Sequence, residues 1–201
     1  MNKKITGIVE SVYLGGDVDD LSKDLCIGLQ AELDGFVNDR HRSLQRECWE
    51  HDKQKEGTIR RNERQWSAVS VEELKTIEQG MNLSEPLRAS SLGANLCFKG
   101  IPALSELPRG TILTFPSGAE LMVEEYNPPC LDMGKKLAAI YSCRSGEPLS
   151  DTVFSDAAKF SRGLVGVIDV AGRINTGDAV TVEIYKPPLW LQRKTKAYNN
   201  Q

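Results

Sequence analysis

Five cysteines and a cluster of arginines are the residues of this chain best suited to chemistry. Cys130 stands apart from Cys26, Cys48, Cys97 and Cys143. It follows Asn127-Pro128-Pro129 and precedes the helix formers Met133, Lys135, Lys136, Leu137, Ala138 and Ala139. Two prolines set the approach and bring no competing amide donors, while a helix start offers free N–H groups and a positive dipole end. Such a position favours a thiolate, which serves as a nucleophile or as a soft ligand for a high-valent metal. A buried, inert cysteine at a helix start fits the local sequence equally well.

The second candidate is a run of charge. Residues 40–64 carry eight Lys and Arg against five acids, whereas residues 10–39 carry eight acids against Lys23 alone. Guanidinium forks grip phosphate in a bidentate manner, so Arg40, Arg42, Arg60, Arg61 and Arg64 form a candidate anion site. A solvated loop or helix is the alternative. Cys48-Trp49-Glu50-His51 resembles half a zinc site, with no second ligand pair to complete it. An odd number of widely spaced cysteines, without a C-x-x-C pair, disfavours a disulfide scaffold, a thioredoxin-type motif and an iron–sulfur centre.

Elements must position these residues. A chain of 201 residues, 40% hydrophobic, suffices for one domain with a real core. Dense turns separate short apolar runs, which predicts a strand-rich fold. Ile5–Tyr13 is the first strand. Thr111–Phe115 and Leu121–Tyr126 form a hairpin about the Pro116-Ser117-Gly118 turn. Gly163–Val170 is a nearly continuous apolar run suited to a strand covered on both faces, and Ala179–Tyr185 alternates like a half-buried one. Ser70-Val71-Glu72-Glu73 is a capping box for a helix ending near Gly80. A second helix is expected over Leu131–Cys143, and a third, capped by Ser150 or Asp151, through Phe160. Strands at short intervals with inserted helices predict a mainly β fold, a closed or partly closed barrel with short peripheral helices.

The net charge of −3 argues against a nucleic-acid-binding surface. No run approaches the roughly 18 apolar residues of a membrane span. Met1–Gly7 has no apolar stretch before Glu10 and does not read as a signal peptide, so a cytoplasmic protein is expected.

Several segments together resemble one family, the MOSC domain, named for the C-terminal domain of molybdenum cofactor sulfurases. Gly35-Phe36-Val37-Asn38-Asp39-Arg40-His41 resembles its glycine-x-x-glycine-aspartate-arginine-histidine segment. Arg64-Gln65-Trp66 through Ser70-Val71-Glu72-Glu73-Leu74 is similar to its Arg-Gln strand and following helix. Leu92-Gly93-Ala94-Asn95 resembles Leu-Gly-Glu-Asn, Pro129-Cys130 its Pro-Cys, and Gly172–Asp178 its closing glycine–aspartate turn. The match runs from about Gly7 to Tyr185. This sets a domain at residues 1–185, followed by a basic extension at 186–201.

The resemblance implies a β-barrel that binds the molybdenum cofactor (molybdopterin) or handles sulfur destined for it. Cys130 would be the persulfide carrier or a molybdenum ligand. Asp39, Arg40, His41, Arg64, Gln65 and Asn95 would line the pterin and phosphate pocket. Arg40 and Arg64 can hold a phosphate directly, and Asn95 can donate to and accept from a pterin edge. Asp39 is better suited to orient His41 or Arg40 than to touch an anion. His41 fits the pocket or an exposed, structurally bonded imidazole equally well. Ala94 removes a carboxylate that the family commonly carries, and Asn38 in place of glycine suggests a left-handed turn. Three functions follow: a cofactor-binding or sulfur-carrier protein, a molybdenum-dependent reductase of N-hydroxylated compounds, or a non-catalytic interaction module. The first two require a sulfur donor or a separate redox partner, and neither nucleic acid nor membrane is expected as a partner.

Overall fold

The structure, a computed structural model, describes residues 4–16, 20–50 and 52–191. In chain order its strands are β1 (Lys4–Leu14), β2 (Asp24–Cys26), β3 (Gly28–Glu32), β4 (Gly35–Phe36), β5 (Gln45–Glu47), β6 (Ile59–Arg61), β7 (Trp66–Ser70), β8 (Leu96–Lys99), β9 (Ile112–Thr114), β10 (Glu120–Tyr126), β11 (Leu164–Val170), β12 (Gly172–Asn175) and β13 (Ala179–Glu183). The helices are α1 (Val71–Gly80), α2 (Leu131–Ile140) and α3 (Val153–Ala157). The strands β1-β13-β9-β10-β11-β7-β8 pair in that order and return to β1, closing a seven-stranded barrel. Every pairing in it is antiparallel except β7 with β8. That parallel step requires a crossover, supplied by α1 and the loop after it. Smaller sheets, β12-β3-β4 and the β5-β6 hairpin, are attached to the barrel.

The barrel interior is filled by alternate residues of its strands, with Trp66, Phe98, Leu121, Leu164 and Val182 inaccessible to solvent. Trp66 places its indole N–H on the carbonyl of Val167 at 2.9 Å, which satisfies the one polar atom it buries. In β1, Val9 and Val12 both face inward although three residues apart. A register shift between Val9 and Ser11 against β8 makes Glu10 the extra residue and restores the alternation. A second apolar cluster on the outside of β7 and β8 receives the helices through Leu74, Ile77, Met133, Leu137 and Phe154.

The expected hairpin, the covered strand and the alternating last strand are all present as β9–β10, β11 and β13. Ser70 caps α1 by accepting the Glu73 N–H at 3.2 Å, and the helix ends at Gly80 as expected. Helix α3 is shorter than expected and starts at a different cap, Thr152, without a side-chain bond. It stops before Phe160, whose φ of +66° is incompatible with helix continuation. Helix α2 likewise ends at Ile140 rather than Cys143, because Tyr141 is extended. Strand β13 ends at Glu183. Of the expected basic extension, Leu189 and Trp190 are exposed, and residues 192–201, with their Arg193, Lys194 and Lys196, lie outside the described residues. Among the described residues no helix is long and apolar enough to cross a membrane.

Candidate functional site

Cys130 is the N-cap of α2, with the extended backbone (φ −118°, ψ 159°) usual at that position. Its thiol makes no capping bond and is exposed. It opens onto a cavity of about 710 Å³ whose walls include Arg40, His41, Trp49, Arg64, Tyr126, Asn127 and Arg162. That volume suits a cofactor-sized ligand. A second register shift, in β10 between Val123 and Glu125, makes Glu124 the extra residue just before the cavity wall. Such bulges re-aim side chains, and here Glu125, Tyr126 and Asn127 follow it into the lining.

Arg40, Arg46, Arg64 and Arg162 line the cavity together with the carboxylates of Asp52 and Glu125. Arg64 gives one nitrogen to Asn127 Oδ1 at 2.7 Å, and Arg162 gives Nη2 to the carbonyl of Leu92 at 2.8 Å. Neither is in an ion pair among the described residues. Arg162 is only 7% exposed, and its buried Nη1 has no hydrogen-bond partner. Burial pushes its guanidinium down to about 10, partly opposed by the influence of Cys130. Burial also lowers Arg64. A buried donor without an acceptor costs free energy, so this wall is built for an acceptor-rich or anionic ligand. Trp49, 55% exposed, lies 4.7 Å from the Arg46 guanidinium and 5.7 Å from that of Arg64, measured to its ring centroid.

Behind His41 stands a buried polar hub. Asp39 Oδ1 accepts the His41 backbone N–H at 3.0 Å and meets its Nδ1 at 3.1 Å. Asp39 Oδ2 accepts Lys23 Nζ and Asn95 Nδ2, each at 2.7 Å. The side chains of Lys23 and Asp39 have no exposed surface. Burial alone would raise the Asp39 carboxyl, but the bonds from His41 and the charge of Lys23 outweigh it and hold the carboxyl below the carboxylate range. Burial pushes Lys23 down to about 8 and lowers His41 as well. With Nδ1 turned to Asp39, Nε2 of His41 is the nitrogen left for a ligand. Asn38 adopts φ +67°, the left-handed turn expected of it, and so carries the chain into this hub.

The structure thus brings Cys130, Arg40, His41 and Arg64 to one cavity, with Asp39 directly behind His41. Gln65 and Asn95, expected to line the pocket, do not reach it. Gln65 binds the carbonyl of Leu33 at 3.1 Å and the N–H of Ile168 at 2.9 Å. Asn95 is used up by Ser67 N, the Tyr13 carbonyl and Asp39. Their polar groups tie loops to the barrel. Most of the expected arginine cluster is neutralised within the fold: Arg42 pairs with Asp34, Arg60 with Asp52, and Arg61 with Glu124. Arg40 lies on the cavity with its guanidinium on the carbonyls of Asp20, Leu21 and Ser22. Cys48 is buried, and its expected partner His51 lies outside the described residues. Sequence reasoning missed Arg162, Trp49, Tyr126 and Lys23. Lys23 alone carried a signal, as the single cation in an acidic stretch.

A closed, mainly β barrel with an exposed cysteine at the N-cap of a helix, on a cavity lined by several arginines, defines the class of protein at hand. The model of the MOSC domain matches residues 44–181, and the chain belongs to that family. Over 197 residues it is 31% identical to YuaD of Bacillus subtilis (strain 168), described as a candidate metal-sulfur cluster biosynthesis protein, covering 98% of this chain and 97% of that one. The crystal structure of YuaD superposes with a TM-score of 0.86 at 29% identity, over 92% of this chain and all (100%) of that one. YiiM of Escherichia coli shares the fold, with a TM-score of 0.58 at 14% identity over 91% of this chain and 71% of that one.

No group of three or more His, Cys, Asp or Glu among the described residues could hold a metal ion unaided. A metal here would have to arrive on a ligand of its own. The unpartnered Nη1 of Arg162 and the exposed sulfur of Cys130, on one cavity, fit an anionic cofactor that carries a soft metal.

Proposed function

We propose that this chain binds the molybdenum cofactor in the Cys130 cavity or carries sulfur destined for it, with Cys130 as persulfide carrier or molybdenum ligand. The observation that carries this reading is the exposed sulfur of Cys130 sharing a cavity with the buried Arg162, whose Nη1 has no hydrogen-bond partner. Arg162, Arg64 and Arg40 would hold the cofactor's phosphate, and Trp49 and Tyr126 would offer flat walls to its ring system. His41, oriented by Asp39, would meet a ligand through Nε2. When bound, the cofactor would supply a metal able to exchange oxygen and sulfur ligands and to pass electron pairs. Sulfur would come from a separate donor and electrons from a redox partner, because the five cysteines are free and ungrouped. The kinship to YuaD, with its name drawn from metal-sulfur cluster biosynthesis, agrees with handling of metal-bound sulfur.

Molybdenum analysis and fluorescence of oxidised pterin on freshly purified protein test the proposal. Wild type should carry both, or persulfide sulfur at Cys130. Cys130→Ala should lose metal or persulfide and remain folded, since the residue is exposed and its thiol makes no capping bond. Equal molybdenum in wild type and variant would remove Cys130 as a ligand, and absence of persulfide in both would remove it as a carrier.

A further inference from the structure

Cys130 and Arg162 stand in a relation that phosphate binding alone does not require. Cys130, Arg162, Arg64 and Tyr126 all line one cavity. Arg162 and Arg64 line the same cavity as the exposed thiol, and neither is in an ion pair among the described residues. Cys130 is the one cysteine on the walls of this cavity, although a hydrogen bond with Ser145 lowers the Cys143 thiol elsewhere. Cys97 is buried, with its thiol pushed up to about 12 by burial, and burial raises Cys26 also.

We propose that Arg162 and Arg64 form an oxyanion subsite that presents a small sulfur oxyanion with a transferable sulfane sulfur, thiosulfate being the simplest, to Cys130. The inference rests on the carrier reading of Cys130 and names its sulfur donor by chemical class. The Cys130 thiolate attacks the sulfane sulfur, and a new sulfur–sulfur bond forms. The bond from the sulfane sulfur to the sulfonate sulfur breaks, and its electron pair leaves with sulfite. Thiolate plus thiosulfate dianion gives persulfide anion plus sulfite dianion, so charge and electrons balance without an external oxidant or reductant. Planar guanidinium forks match both the bound sulfonate and the departing sulfite, whose negative charge grows as the bond breaks. One unused buried donor on the cavity that holds the attacking sulfur supplies that stabilisation.

The test mixes the full chain with thiosulfate and reads the intact mass, the modified residue and the sulfite released. Wild type should gain one sulfur atom at Cys130 and release one sulfite per persulfide, with inorganic phosphate competing. Arg162→Met should raise the half-saturating thiosulfate by about 10- to 100-fold, the value of one charge-assisted hydrogen bond. Because Arg162 also holds the Leu92 carbonyl, Arg64→Met is run in parallel, with thermal melting confirming that each variant is folded; it should weaken thiosulfate in the same direction. Loading by inorganic polysulfide but not by thiosulfate would overturn this donor class and leave the carrier reading standing. Loading by neither would overturn both. Thiosulfate loading that both arginine variants leave unchanged would overturn the subsite.

Discussion

Replacing Asp39 with alanine should nearly exhaust the stability of this domain, although the residue never touches the cavity. The substitution strips Lys23 Nζ of its 2.7 Å partner inside a site where neither side chain is exposed. Removing one member of a buried pair costs about 3–5 kcal/mol, because the remaining charge is left uncompensated. The His41 backbone N–H, bonded to Asp39 at 3.0 Å, adds about 1 kcal/mol, while Asn95 Nδ2 keeps the Tyr13 carbonyl at 3.2 Å. The sum, about 4–6 kcal/mol, rivals the entire stability of an ordinary domain. Lys23→Met alone should cost less, since Asp39 retains Asn95 and both His41 donors. The double variant should be more stable than the sum of the single losses by about 2 kcal/mol or more. Urea unfolding at neutral pH measures all three. Additive losses, or an Asp39→Ala cost below about 1 kcal/mol, would refute the hub. The same carboxylate makes the fold acid-sensitive. Its folded value lies below the ordinary 3.8, so its stabilisation is complete above that pH and is lost as pH falls further.

Glu73 titrates in the opposite sense: burial pushes it up to about 7 from 4.5, while its oxygens accept Ser105 N at 2.8 Å and Ser105 Oγ at 3.0 Å. Its contribution is full below pH 4.5 and is lost as pH rises through about 7, on the order of 3 kcal/mol. Glu73→Gln should flatten stability across that window, and a parallel wild-type slope would contradict the assignment. Gly163→Ala should destabilise by about 3 kcal/mol or more in thermal or urea unfolding. Its added Cβ would lie 2.0 Å from the Ala68 carbonyl at a φ of +98°, forcing β11 from β7; a loss below about 1 kcal/mol would show that the strands yield.

The barrel strands were legible because their signals are local. The run Leu164–Ile168 is buried on both faces, and β13 alternates as its sequence does. The closure of β13 onto β1 and the parallel pairing of β7 with β8 depend on long-range register, which no local pattern carries. Cys130 was legible because its prolines and its helix adjoin it in sequence. Arg162 was not, since it looks like one more basic residue after Lys159, and its burial arises only once β11 is paired. Gln65 and Asn95 mark the converse. A polar residue in a motif reads as a ligand contact, but backbone groups of the surrounding loops compete for it, and here Leu33, Ile168, Ser67 and Tyr13 take those bonds. The arginines of residues 40–64 follow the same logic, with Asp34, Asp52 and Glu124 drawn from near and distant segments.

In the proposed function, one cavity holds the cofactor against both Cys130 and the guanidiniums of Arg64 and Arg162. Alkylation of Cys130 during titration of the apo-protein with molybdenum cofactor tests it directly. Protection that rises with cofactor, reaches completion in wild type and is weakened in Arg162→Met is the predicted result. A Cys130 that remains fully alkylated at saturating cofactor would contradict it.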